Sequence, residues 1–163
     1  MDESCTIDLP DEAATVALAG RLAPLLRTGD LVALRGGLGA GKTAFARALI
    51  RALTSPDEDV PSATFTLVQS YDAAGFRIFH FDLYRIVHPD ELIEIGWDEA
   101  LADGVVLAEW PERAGVLLPS RRLDIALAFG GNASTRRAAI TAARGWDEGR
   151  QVIVALQRGA GRE

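Results

Sequence analysis

Gly36-Gly37-Leu38-Gly39-Ala40-Gly41-Lys42-Thr43 is a complete G-x-x-x-x-G-K-[ST] phosphate-binding loop. It constrains the fold more than any other feature, because such a loop works only between a buried strand and the first turn of a helix. The flanks meet that demand. Leu31-Val32-Ala33-Leu34 is a short apolar run that reads as a buried strand, and Phe45, Leu49 and Leu53 recur at helical spacing from Thr43 to Leu53. The glycines let the backbone close around an anion with its N–H groups inward. The helix N-terminus adds partial positive charge, and Thr43 offers a hydroxyl to magnesium. Lys42 is also the only lysine among 17 Lys+Arg residues. A chain that otherwise uses arginine keeps lysine where a compact ammonium must reach phosphate oxygens, a place a planar guanidinium does not fit in the same way. Nucleoside triphosphate binding follows. The competing reading, an ordinary glycine-rich turn, requires the full motif, the lone lysine and both flanks to coincide by chance.

At 163 residues the chain is expected to form one P-loop domain over residues 1–163. Roughly the last 15 residues are expected to be a poorly ordered tail. An apolar fraction of 48% and a charged fraction of 25% suit a soluble globular protein. No apolar stretch approaches the ~18 residues of a membrane span. The acidic start Met1-Asp2-Glu3-Ser4-Cys5 lacks a signal-peptide pattern. The single cysteine, Cys5, excludes an internal disulfide and cannot alone supply a zinc site. A cytoplasmic location and no membrane partner are therefore expected. The net charge of −6 is uneven: residues 120–163 hold eight arginines against four acids, whereas residues 1–119 hold nine cations against 19 acids. The basic end reads either as a face for RNA or an acidic partner, or as ordinary solvated surface. No run of aromatic residues interleaves those arginines as a base-stacking platform.

Along the chain, Asp11 to Leu26 reads as an amphipathic helix with Ala14, Leu18, Leu22 and Leu25 on its apolar stripe and Asp8 or Asp11 as caps. Leu67–Tyr71 and Phe76–Phe81 read as strands around the turn Asp72-Ala73-Ala74-Gly75. A short helix opens at Pro89, and Gly96 breaks it before Trp97–Leu101. Gly104–Ala108 is a buried strand ending at Glu109. Arg122–Phe129 alternates as a half-exposed, antiparallel strand and forms a hairpin with Arg136–Ala143. Gln151–Leu156 is compatible with strand or helix. The expected class is α/β, a P-loop NTPase fold whose mixed sheet has a parallel core, antiparallel edge strands and helices on both faces.

A P-loop enzyme also needs a strand-end acid for magnesium and a group that senses the third phosphate and orients water. Asp82 after Ile78-Phe79-His80-Phe81, and Glu109 after Val105-Val106-Leu107-Ala108, are the two strand-end acids. Spacing does not say which serves the metal and which lies nearer the water. Ser62-Ala63-Thr64-Phe65-Thr66 sits where a switch threonine would contact magnesium or phosphate. An [NT]-K-x-D guanine-specifying motif is impossible with one lysine, so adenine is the expected base. Alternation places His80, Asp82 and Tyr84 on one face, where His80 either orients Asp82, shuttles a proton or simply packs. Trp110 is either a core ring, the base-rate choice, or a wall of the site.

The ordered motifs Gly-x-Leu-Gly-Ala-Gly-Lys-Thr, Ser-Ala-Thr-Phe-Thr-Leu-Val, His-Phe-Asp-Leu-Tyr-Arg and Glu-Trp-Pro-Glu resemble the bacterial tRNA threonylcarbamoyladenosine biosynthesis ATPase family TsaE, also called YjeE. The resemblance spans roughly residues 5 to 143. It implies a weak Mg-dependent ATPase that works with TsaB and TsaD, and meets tRNA through that complex, in forming the threonylcarbamoyl group on N6 of adenosine 37 in tRNAs reading codons that begin with A. The transfer itself is implied to belong to TsaD and the activated adenylate to come from TsaC. Carried over by motif, Gly39, Ala40, Gly41, Lys42 and Thr43 would hold ATP, and Thr43 and Glu109 would hold Mg2+. Thr64 would be the switch threonine, and Asp82 would serve hydrolysis beside Lys42. Thr15 and Arg136 resemble residues that approach the nucleotide. Two departures stand out. Ala63 replaces a usual proline before the switch threonine, which implies a looser segment, and Gly37 replaces a usual acid. The competing classes are a small-molecule kinase, which would need an acceptor pocket and a mobile lid, and a nucleotide-gated binding module whose hydrolysis is incidental.

Overall fold

The computed structural model describes residues 2–147 and 150–158. Seven strands form one sheet among these residues, in the order β1-β7-β6-β2-β5-β4-β3. They are β1 (Glu3–Leu9), β2 (Leu31–Arg35), β3 (Val68–Ala73), β4 (Phe76–Asp82), β5 (Gly104–Glu109), β6 (Leu123–Phe129) and β7 (Arg136–Ala142). Strands β6, β2, β5 and β4 run parallel, while β1, β7 and β3 add antiparallel edges. The expected parallel core with antiparallel edges and helices on both faces is therefore found. The alternation of β6 reflects its position between the two regimes. It pairs parallel with β2 and antiparallel with β7, so the antiparallel expectation for Arg122–Phe129 is half right. Edge strand β1 was not expected: Glu3, Ser4, Thr6 and Asp8 interrupt its apolar residues, and only Ile7 and Leu9 are buried.

The central strands are buried on both faces, which is why they read as unbroken apolar runs. Val32, Leu34, Val105 and Leu107 face one core. Leu31, Ala33, Val106 and Ala108 face the other. The first core is covered by α1 (Glu12–Leu22), α2 (Lys42–Leu53) and α6 (Val152–Arg158). The second is covered by α3 (Glu91–Glu94), α4 (Trp97–Asp103) and the 3-10 segment Pro111–Leu117, with Trp97 packed edge-on against Phe81 at 5.0 Å. A further helical turn, α5, spans Arg144–Asp147.

Local chemistry explains the helix ends. Asp11, in extended backbone, accepts from the Ala14 amide at 2.9 Å and caps α1. Asp8 is not a cap: it lies in β1 and pairs with Arg137. The helix gives way to a 3-10 turn at Ala23–Leu25, because Pro24 cannot continue the α hydrogen-bonding pattern. The hairpin turn between β3 and β4 is tighter than expected. Strand pairing persists to Ala73 opposite Phe76, with Gly75 at φ +91°. Residues 152–158 of the expected tail are helical, with Val152, Ile153 and Leu156 buried; residues 159–163 lie outside the described residues.

A buried ion pair links Arg150, just before α6, to Asp30, just before β2. Asp30, fully buried just ahead of β2, accepts from Arg150 Nη1 and Nη2 at 2.5 and 2.8 Å and from the Arg27 amide at 2.7 Å. Arg150 also donates to the Leu25 carbonyl. Asp30→Ala would strand a buried guanidinium, so an equilibrium urea titration is expected to show a loss of about 3–5 kcal/mol. Asp8→Ala, which breaks only an exposed pair with Arg137, is expected to leave the midpoint unchanged within error.

Candidate active site

The loop from Gly36 to Gly41 joins the end of central strand β2 to α2. Gly36 has φ +141°, and a Cβ there would lie 2.4 Å from the Leu127 carbonyl oxygen, so only glycine permits this approach to β6. Gly41, at φ +107°, ends the loop in left-handed backbone and leaves the first amides of α2 without a side-chain cap. Those amides are available to an anion. Beneath the loop, Arg136 donates from Nη2 to the Gly39 carbonyl at 3.2 Å and stacks over Phe129 at 4.4 Å.

Because β2, β5 and β4 are parallel neighbours, their carboxyl ends lie together. Leu34 is opposite Glu109, and Glu109 is opposite Asp82. A cleft of about 340 Å³ opens there, lined by loop residues Gly39, Gly41, Lys42 and Thr43, and by Thr64, Asp82, Glu109, Tyr84 and Trp110. Thr43 donates to Glu109 Oε1 at 2.9 Å, and Thr64 donates to Asp82 Oδ2 at 2.7 Å. Each strand-end acid thus has its own hydroxyl partner. Glu109 Oε2 lies 2.6 Å from His80 Nε2, and Asp82 Oδ1 accepts from the Tyr84 amide at 3.1 Å. Of the alternatives for His80, contact with Asp82 is not what is found: its ring reaches across to Glu109 on the neighbouring strand.

Lys42 is buried and folded back over its own loop. Nζ donates to the carbonyls of Gly36 and Gly37 at 2.6 and 2.9 Å and sits 4.2 Å from the centre of the Trp110 ring. Burial pushes the ammonium below the usual lysine pKa, while the charges of Glu109, Glu112 and Asp82 pull it back up. Trp110 is only partly buried and packs against Tyr84 at 5.0 Å, with left-handed backbone at φ +56°. It lines the cleft and also packs against the edge of the second core. Its place after a strand-end acid and before Pro111 was the available signal.

Ala63 is fully buried, its carbonyl accepts from the Leu67 amide, and Ser62 and Thr64 share a 2.8 Å hydrogen bond. Thr15 is buried on α1 and is not among the residues lining the cleft. Ala40 is likewise outside the lining, its amide donating to the Gly37 carbonyl within the loop. Phe129, beneath Gly39, was missed; it is the last residue of an alternating strand and carries no motif. The arginines of the basic end are largely engaged within the fold: Arg122 with Asp124, Arg137 with Asp8, Arg150 with Asp30 and Arg136 with the loop.

A glycine loop closing a central parallel strand onto a helix, with a lysine and two strand-end carboxylates in one cleft, defines a P-loop NTPase fold. Residues 9–138 match the family described as Threonylcarbamoyl adenosine biosynthesis protein TsaE, and the chain belongs to that family. It is 41% identical over 119 residues to the tRNA threonylcarbamoyladenosine biosynthesis protein TsaE of Rickettsia conorii, covering 73% of this chain and 68% of that protein. The protein of the same name from Nostoc sp. is 36% identical over 146 residues, covering 86% and 88%. Among solved structures, the crystal structure of Bacillus subtilus YdiB superposes with a TM-score of 0.78 at 27% identity, covering 98% of this chain and 97% of that one.

As the lone lysine, Lys42 can be followed directly. Acylation needs the free amine, so the lowered pKa should bring Lys42 labelling on at a lower pH than for an exposed lysine. Bound triphosphate should suppress it by occlusion and by restoring the proton. Peptide-resolved mass spectrometry separates this site from the N-terminal amine, and labelling unchanged by saturating Mg-ATP would contradict the assignment.

Proposed function

We propose that this chain is a Mg-dependent ATPase that acts with TsaB and TsaD homologues in forming the threonylcarbamoyl group on adenosine 37 of tRNA. The observation that carries the reading is the convergence of Lys42, Thr43, Thr64, Asp82 and Glu109 on one cleft at the carboxyl ends of β2, β5 and β4. Adenine rather than guanine fits the absence of any further lysine for a guanine-specifying motif. No helix among the described residues is long and apolar enough to cross a membrane.

The donor chemistry fits magnesium. A hydroxyl and a carboxylate are hard oxygen donors, and no cluster of three or more His, Cys, Asp or Glu among the described residues would cage a metal by itself. A cation that completes its shell with phosphate and water needs no such cage. Thr43 and Glu109 would hold it, and its charge would offset that on the outer phosphates. The chain's own groups do the rest. The loop amides and the α2 N-terminus bind phosphate oxygens, and Lys42 leaves the Gly36 and Gly37 carbonyls to reach them. Asp82 orients the attacking water once Thr64 releases it. In the present arrangement Thr64 and Asp82 occupy each other, which supports slow turnover by the isolated chain and acceleration when a partner draws Thr64 toward the nucleotide.

The roles separate by variant. In a phosphate-release assay Lys42→Ala is expected to abolish turnover. Thr43→Ala and Glu109→Ala are expected to raise the magnesium requirement, and Asp82→Asn to slow turnover with nucleotide affinity nearly intact. Equal loss of affinity in the last three would defeat this division.

TsaB and TsaD together should accelerate turnover, and Thr64→Ala should blunt that stimulation more than it weakens ATP binding. The reading fails if the isolated chain is already as fast as the assembled one.

A further inference from the structure

Both oxygens of Glu109 are committed: Oε1 to the Thr43 hydroxyl and Oε2 to His80 Nε2. Glu109 is 2% exposed and His80 is fully buried. An ionised carboxylate only accepts hydrogen bonds, so Nε2 carries the hydrogen of this pair. The other ring nitrogen, Nδ1, is buried without a partner. A buried, unpaired polar atom is destabilising, and an apolar ring at this strand position would avoid that cost. Packing alone therefore does not account for a histidine here, and its one polar contact does. The β4–β5 register supports this. Asp82, not His80, is directly opposite Glu109, so the imidazole reaches diagonally along the strands to the carboxylate.

We propose that His80 is a positioning residue for Glu109: by holding Oε2 it turns Oε1, together with the Thr43 hydroxyl, into the cleft as the pair presented to the metal. It also restrains the carboxylate from rotating onto Lys42, which lines the same cleft. Partners that anchor a metal-binding carboxylate from behind typically set metal affinity by ten- to a hundredfold. The inference rests on the Mg-nucleotide reading of the cleft.

Calorimetric binding of a non-hydrolysable ATP analogue to the full chain, with EDTA and across a magnesium titration, tests it. Wild type is expected to bind more tightly as magnesium rises. His80→Phe should need about tenfold more magnesium for the same gain while binding equally in EDTA. His80→Gln, whose amide N–H lies near the Nε2 position, should recover most of that shift. His80→Asn, too short to reach Glu109, should not, and it carries the test if the Phe variant fails to fold. A wild-type magnesium requirement in folded His80→Phe or His80→Asn overturns the role. So does equal weakening with and without magnesium, or a Gln variant no better than Asn. Wild type that ignores magnesium overturns the metal site itself, and the role of His80 with it.

Discussion

The site depends on the parallel pairing of three adjacent strands. Parallel strands end at the same edge of a sheet, and a strand-end residue is freed from pairing at one side while its neighbours still hold its backbone. Here β2 ends in the glycine loop, β5 in Glu109 and β4 in Asp82. The register sets the two acids side by side, and the Leu83 amide donates to the Glu109 carbonyl just beyond the paired region. A one-residue slip of β4 against β5 would turn Asp82 to the opposite face and leave Glu109 beside an apolar side chain. The full burial of Val105, Val106, Leu107 and Ala108 on both faces resists such a slip.

Charge is placed where partners meet it. Asp30 and Arg150 neutralise each other inside the fold, while Lys42 finds carbonyls, an aromatic face and the nearby acids. Glu109 rests on a hydroxyl and an imidazole. Each of these is a local answer to desolvation. The one in the cleft differs in kind, because the lysine's present acceptors are weak, neutral carbonyls that a triphosphate can outcompete. A buried cation held by replaceable contacts suits binding better than one locked in an ion pair.

The hydroxyls of Thr43 and Thr64 engage the two acids separately. Thr43 sits on the first turn of α2 and follows the loop; Thr64 lies in the segment before β3 and follows β4 through Asp82. Movement of the second segment can then alter Asp82 while leaving the Thr43–Glu109 pair in place. Phe65, which follows Thr64, is largely exposed and lies under the Arg85 guanidinium at 4.5 Å, so the outer side of this segment faces solvent.

Much was legible in the sequence because it was local. A phosphate loop is a run of backbone conformations that only its glycines allow, and buried parallel strands announce themselves by unbroken apolar runs, so Gly36–Thr43, β2, β5 and the identity of the strand-end acids could be read directly. The β3–β4 and β6–β7 hairpins and the helix starting near Asp11 followed from turn residues and periodicity. What lay beyond reach were relations between segments distant in sequence. Strand β1 alternates too weakly to be called without β7 beside it, and α6 is helical where short periodicity was ambiguous, its Val152, Ile153 and Leu156 buried in the core that α1, β1 and β7 share. The sequence placed His80 on the same face as Asp82, but only the stagger of β4 against β5 decided that its ring meets Glu109. Trp110 likewise meets the cleft from a left-handed backbone that its sequence does not announce. Local chemistry determined which residues could do the work; strand register and close packing, which depend on the whole chain at once, decided which of them meet.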